Sequence, residues 1–179
     1  LKDGDVVSLL GPLGNGFSVN SNDAFPVLVA GGYGVAPLSF LADRMQSKGV
    51  VFIGGASKDD ILCVEDFDRA GWEVHIATED GSLGIKGLVT QVLDSWLEKS
   101  TLRSGVEFYV CGPDGMLKAI GERAQKYDAK AWLSMDKHMG CGVGACLACV
   151  QKVRQSDDKE VLLRVCKDGP VFEANKIVW

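Results

Sequence analysis

The sequence has only two histidines and no apolar run near the roughly 20 residues that a membrane-spanning helix needs. A centre built on several imidazoles is excluded, and no spanning helix is expected. Nor does any stretch concentrate positive charge. The 19 lysines and arginines are scattered among 24 acidic residues for a net charge of −5, which leaves no electrostatic footprint for nucleic acid. Internal repeats and low-complexity segments are missing, and the N-terminus lacks the basic, apolar, small-residue order of a signal peptide. These absences point to a soluble cytoplasmic protein with no nucleic-acid or membrane partner, and its 179 residues allow one sizeable core plus a small appendage.

What the chain does have is six cysteines, four of them close to the C-terminal end. Cys141, Cys146 and Cys149 follow a C-x4-C-x2-C spacing, and Cys166 comes later, which is the plant-type ligand pattern for a [2Fe–2S] centre. Small residues between the first three let the backbone wrap closely and aim N–H groups at sulfur. Zinc more often takes two C-x2-C pairs, and no second pair is present. A Rieske-type assignment would need two histidines, yet only His138 is nearby and His75 is far off in sequence, so both are read as structural or exposed. Cys63 and Cys111 are expected to be free thiols, and the four tryptophans to be packing residues.

Ahead of the cysteines, short β-rich runs alternate with helical patterns. Val27–Ala30, Val50–Ile53, Val74–Ala77 and Val106–Val110 read as strands. Apolar residues at spacings of three and four predict helices over Pro37–Lys48, Leu88–Leu97 and Pro113–Tyr127, with a shorter one over Ile61–Arg69. This rhythm predicts an α/β fold with a parallel, doubly wound nucleotide-binding sheet over residues 25–135, since parallel neighbours need crossovers and helices usually supply them. Beyond Asp136 the rhythm breaks. Ala148–Arg154 and Val161–Val165, joined by the polar turn Gln155–Lys159, predict a β-hairpin that returns Cys166 toward the other cysteines, giving a small cluster domain over 136–179. At the other end, Val6–Leu10 reads as a strand running into a glycine-rich turn, Gly11–Phe17.

Two turns can carry a ligand. Gly31, Gly32, Tyr33, Gly34 and Val35 follow a strand and open a helix, where backbone N–H groups and the helix dipole suit a pyrophosphate; a plain glycine turn is the alternative. Cys111, Gly112 and Pro113 close another strand at the edge where open α/β sheets place ligands. Thr78 and Glu79 end a third strand, either touching a ribose or forming a polar turn. A nicotinamide exchanges a hydride and a [2Fe–2S] centre one electron, so a chain with both calls for a flavin as converter. The flavin domain is expected to precede Leu1, with residues 1–24 as the end of its β-barrel.

Taken together, Gly11-Pro12-Leu13-Gly14-Asn15-Gly16-Phe17, Gly31–Leu38, Cys111-Gly112-Pro113, Met139–Cys149 and Val165-Cys166-Lys167-Asp168-Gly169-Pro170-Val171-Phe172 resemble the electron-transfer subunits of class 1B dihydroorotate dehydrogenases, in the ferredoxin–NADP reductase-like superfamily. The resemblance implies a subunit that works in pyrimidine biosynthesis with an FMN-containing catalytic partner, as a hetero-oligomer, passing electrons through a [2Fe–2S] cluster and FAD to NAD+. It implies Cys141, Cys146, Cys149 and Cys166 as cluster ligands, the two glycine turns as the NAD site, and Gly14 and Asn15 at the edge of the flavin site. Subunits of the γ type from sulfhydrogenases and anaerobic sulfite reductases share the cysteine loop and a similar tail, and are the alternative relatives. A zinc-stabilised nucleotide-binding module is a third reading.

Overall fold

The computed structural model describes residues 1–18, 24–100 and 105–179. In chain order the strands are β1 (Phe25–Gly31), β2 (Val50–Gly55), β3 (Glu73–Thr78), β4 (Ile85–Lys86), β5 (Val106–Cys111), β6 (Lys130–Ser134), β7 (Val150–Arg154), β8 (Glu160–Arg164) and β9 (Val171–Glu173). The helices are α1 (Val35–Arg44), α2 (Val64–Arg69), α3 (Val89–Lys99) and α4 (Asp114–Lys126). Seven strands form one sheet in the order β4-β3-β2-β1-β5-β6-β9, parallel throughout except for β9 against β6. The β7–β8 pair is an antiparallel hairpin. Among the described residues no helix is long and apolar enough to cross a membrane.

The central strands are apolar along their length because helices cover both faces. Side chains alternate across each strand, so neighbours feed opposite cores. Leu28, Ala30, Val51 and Ile53 pack under Leu38 and Leu41 of α1 and Phe67 of α2. Val27, Val29, Phe52, Phe108 and Val110 pack under Leu93 and Leu97 of α3 and Leu117 and Ile120 of α4. That second core continues into the C-terminal part through Cys149, Val153, Val165, Cys166, Phe172 and Ile177, so hairpin and sheet share one apolar interior.

The expected hairpin forms with its polar turn at residues 155–159, and pairs Val150 with Arg164 at its open end. The Val165 amide donates to the Cys149 carbonyl at 2.9 Å, which sets Cys166 beside Cys149. The tail then crosses to the main sheet as β9. Its end returns to the hairpin, where the Val178 amide donates to the Lys152 carbonyl at 3.0 Å and the Gln151 side-chain amide to the Val178 carbonyl at 3.0 Å.

Several elements differ from the sequence expectation. Val6–Leu10 is not a strand: it is irregular, with Val6 at 99% and Leu9 at 88% exposure, and no described strand lies alongside to take its hydrogen bonds. The helix expected from Ile61 starts at Val64, because Cys63 has a φ of +59°. Helix α1 stops at Arg44, and the Lys48 ammonium donates to the Ala42 and Met45 carbonyls at its C-terminal end. The expected boundary near residue 24 falls beside residues 19–23, outside the described residues.

Phe172 is 7% exposed and is the apolar anchor of the tail. Phe172→Ala should lower stability by roughly 3–5 kcal/mol, the usual cost of emptying a buried aromatic site, measured by chemical denaturation. A loss under about 1 kcal/mol would mean that the tail is not packed as described.

Candidate functional site

From β1 the chain winds outward through β2 and β3, whereas β5 and β6 extend the sheet the other way. The carboxyl ends of β1 and β5 are therefore adjacent at a topological switch point, where such sheets open a crevice. Here the crevice is a cavity of about 1180 Å³. Gly31–Gly34 form one wall, Cys111–Met116 the facing one, and Gly54–Ala56 at the end of β2 continue it.

Local backbone geometry explains the glycines. Gly32 has a φ of +53°, in the left-handed region. A Cβ on Gly34 would run into the Cys111 carbonyl and lie 2.8 Å from the Gly112 nitrogen, so the two turns approach as closely as backbones allow. The first turn is a single 3-10 turn, Gly32–Gly34, that leads directly into α1; the Val35 amide is taken up by the Gly32 and Tyr33 carbonyls, and Pro37 in the first turn of α1 has no N–H.

Of the residues expected here, Gly31, Gly32, Tyr33, Gly34, Cys111, Gly112, Pro113 and Glu79 line the cavity. Val35, also expected here, is not on the wall: it is 1% exposed at the start of α1 and packs in the core with Leu28 and Leu38. Thr78 is fully buried, and its hydroxyl donates to the Leu83 carbonyl at 2.7 Å and accepts from the Leu83 amide at 3.1 Å, which ties down the loop after β3. Gly14 and Asn15 are not on the cavity wall. They dock on the tail, where the Asn15 side-chain amide donates to the Lys167 carbonyl at 3.2 Å and Val171 donates to the Asn15 carbonyl at 3.4 Å.

Sequence reading missed Gly54–Ala56, Asp60, Gly87–Thr90, Ser134–Asp136, Met139 and Pro170 on the wall. Only the glycine pair ending β2 carried a local signal; the others arrive through folding. Four acids, Asp60, Glu79, Asp114 and Asp136, lie on the lining, and no lysine, arginine or histidine does among the described residues. Burial pushes the Cys111 thiol up, against a smaller opposing effect from Ser134.

The cysteine loop begins just beyond this wall. Lys137 pairs with Asp114 at 2.7 Å and so fastens the lead-in segment to the start of α4. All six cysteines are free thiols. The four C-terminal ones stand in two pairs. The Cys146 and Ala145 amides point at Cys141 Sγ at 3.4 and 3.2 Å, and the Cys146 thiol is within hydrogen-bonding reach of it. Those amides, with that of Val143, bring Cys141 down to about 6. On the other side the Cys166 amide points at Cys149 Sγ at 3.4 Å and lowers it, while the bond to Cys149, followed by burial, raises Cys166. Among the described residues no three His, Cys, Asp or Glu side chains gather as a single-ion site. Two thiol pairs with amides aimed at sulfur fit a two-iron cluster, in which each iron takes two thiolates. His138 is exposed, and His75 is held 2.7 Å from Glu73 with its ring stacked on Phe52.

Gly34→Ala should lower stability by roughly 1–3 kcal/mol, measured by chemical denaturation. An unchanged midpoint would show that the two turns do not meet as closely as described.

Residues 28–122 match the oxidoreductase NAD-binding domain, and residues 136–178 match the iron–sulfur cluster binding domain of dihydroorotate dehydrogenase B. The dihydroorotate dehydrogenase B (NAD(+)) electron transfer subunits of Bacillus cereus (strain Q1) and Bacillus anthracis (strain A0248) are each 40% identical over 99% of this chain and 67% of their own length. A solved NADH-dependent reduced ferredoxin–NADP oxidoreductase, described in connection with flavin-based electron bifurcation, superposes with a TM-score of 0.80 at 27% identity, over 99% of this chain and 62% of that one. The ferredoxin reductase of carbazole 1,9a-dioxygenase shares the fold at a TM-score of 0.54 and 22% identity, over 66% of this chain and 39% of that one. The chain spans about two thirds of the length of these curated relatives, and it belongs to the family of dihydroorotate dehydrogenase B electron transfer subunits.

Proposed function

We propose that this chain connects an FMN-containing dihydroorotate dehydrogenase catalytic subunit to NAD+ in pyrimidine biosynthesis, within a cytoplasmic hetero-oligomer. The observation that carries the reading is a shared wall: Met139 and Pro170, which flank the cysteine loop and its return, line the same cavity as the two glycine turns. In this reading residues 25–135 hold NAD, residues 136–179 hold the cluster, and residues 1–24 belong to the end of a flavin barrel. Cys141, Cys146, Cys149 and Cys166 would hold a [2Fe–2S] cluster, which supplies a one-electron carrier beside FAD and NAD.

The chain's own residues do the binding and shielding. The glycine turns let the backbone approach the pyrophosphate, and a lining whose only charged residues, among those described, are acids offers no cation to the extra phosphate of NADP. Amides from Val143, Ala145 and Cys146 stabilise negative charge on Cys141. Cys149 and Cys166, each 3% exposed, shield one side of the thiol group from water. Met139, Val143 and Leu147 stand exposed around the loop and offer apolar contacts to the catalytic subunit.

Combining this subunit with a dihydroorotate dehydrogenase catalytic chain and FAD should give dihydroorotate-dependent NAD+ reduction, and Cys166→Ala should lower its rate at least about a hundredfold. Turnover driven by sulfite or hydrogen, with none from dihydroorotate, would contradict the proposal.

A further inference from the structure

Arg164 closes β8, two residues before Cys166, and it organises the turn that presents that cysteine. Its carbonyl accepts from the Lys167, Asp168 and Gly169 amides at 3.1, 2.7 and 3.3 Å. The Arg164 amide and Nε both donate to Asp168 Oδ2 at 2.8 Å, and Nη2 donates to Asp168 Oδ1 at 3.0 Å. That fork leaves Nη1 to donate across to the Gly144 carbonyl in the cysteine loop at 3.2 Å. Gly144 in turn directs its own amide at Cys166. One guanidinium thus spans the turn of the fourth cysteine and the loop of the first two.

Its position is fixed and only part-exposed, with 31% of the Arg164 side chain and 23% of the Asp168 side chain open to solvent. A forked pair loses little freedom and stays charged at every working pH. The guanidinium also interacts electrostatically with Cys166 and Cys149. Four thiolates around two irons carry excess negative charge, and each added electron increases it. A cation held there favours the reduced form, and a paired anion opposes it.

We propose that Arg164 and Asp168 are positioning residues that set the reduction potential of the cluster by charge, Arg164 raising it and Asp168 lowering it. The inference rests on the cluster reading above. A clamp that only held the loop in place would shift both variants the same way or leave the potential alone.

The test is a potentiometric titration of the anaerobically purified, cluster-loaded chain, followed by visible absorption and EPR. Arg164→Gln should move the midpoint negative, changing the reduced-to-oxidised ratio at fixed potential about tenfold, or 59 mV for one electron. Asp168→Asn should move it positive, and Arg164→Lys, which keeps the charge, should stay within about threefold of wild type. Should Arg164→Gln fail to load, a positive shift in Asp168→Asn with Arg164→Lys near wild type still supports the assignment. Shifts of one sign in both neutral variants, or no shift in Asp168→Asn, overturn it. Wild-type protein without iron would instead overturn the cluster reading itself.

Discussion

The short return from β8 to β9 is the constraint on which the rest of the site depends. Within it the Val165 amide closes the ladder onto Cys149, Cys166 completes the second thiol pair, Pro170 joins the cavity wall and β9 pairs with the sheet edge at β6. These placements are coupled through covalent chain only a few residues long. A shift in this segment moves a cysteine and a wall of the cavity together, so the cysteine loop and the cavity keep a fixed relation without a linker.

Two physical devices make that coupling stiff. The first is the common interior: Cys149, Val165, Cys166 and Phe172 belong to the same apolar cluster as Val27, Phe108 and Leu133, so the cysteine-bearing part cannot separate from the sheet without exposing core. The second is polar. Lys137 on Asp114 fastens the entry to the loop, Arg164 on Asp168 and Gly144 fastens its exit, and Asn15 docks on the tail backbone. The loop between these points stays open, with Cys146 and Leu147 exposed, which suits a centre that exchanges electrons with another polypeptide.

Elements with long, unambiguous patterns were legible in the sequence. The interior strands around Val27, Val50 and Val106, the stripes of α1, α3 and α4, the hairpin and the four-cysteine spacing needed no tertiary information. Shorter pieces were not legible, because their identity comes from a neighbour: β4 is two residues, β9 is three, and β6 is a mixed KAWLS segment made into a strand by β5 on one side and β9 on the other. Val6–Leu10 failed for the converse reason, since it has strand-like residues but no partner strand among the described residues. In the site, glycine turns advertise close backbone approach and were found. Pro170 and Met139 reach the cavity only through the return of the tail and the lead-in to the loop. Thr78 illustrates the ambiguity of a polar residue at a strand end, for its hydroxyl is taken up by the Leu83 backbone.

The proposed two-iron cluster on the paired thiols, beside a dinucleotide cavity, is open to direct measurement. Iron and sulfide analysis with EPR of the dithionite-reduced, anaerobically purified chain tests it most directly. Two irons and two sulfides per chain are expected, with an EPR signal from one unpaired electron that is lost in Cys149→Ser. Stoichiometric zinc, no iron and no EPR signal would contradict it.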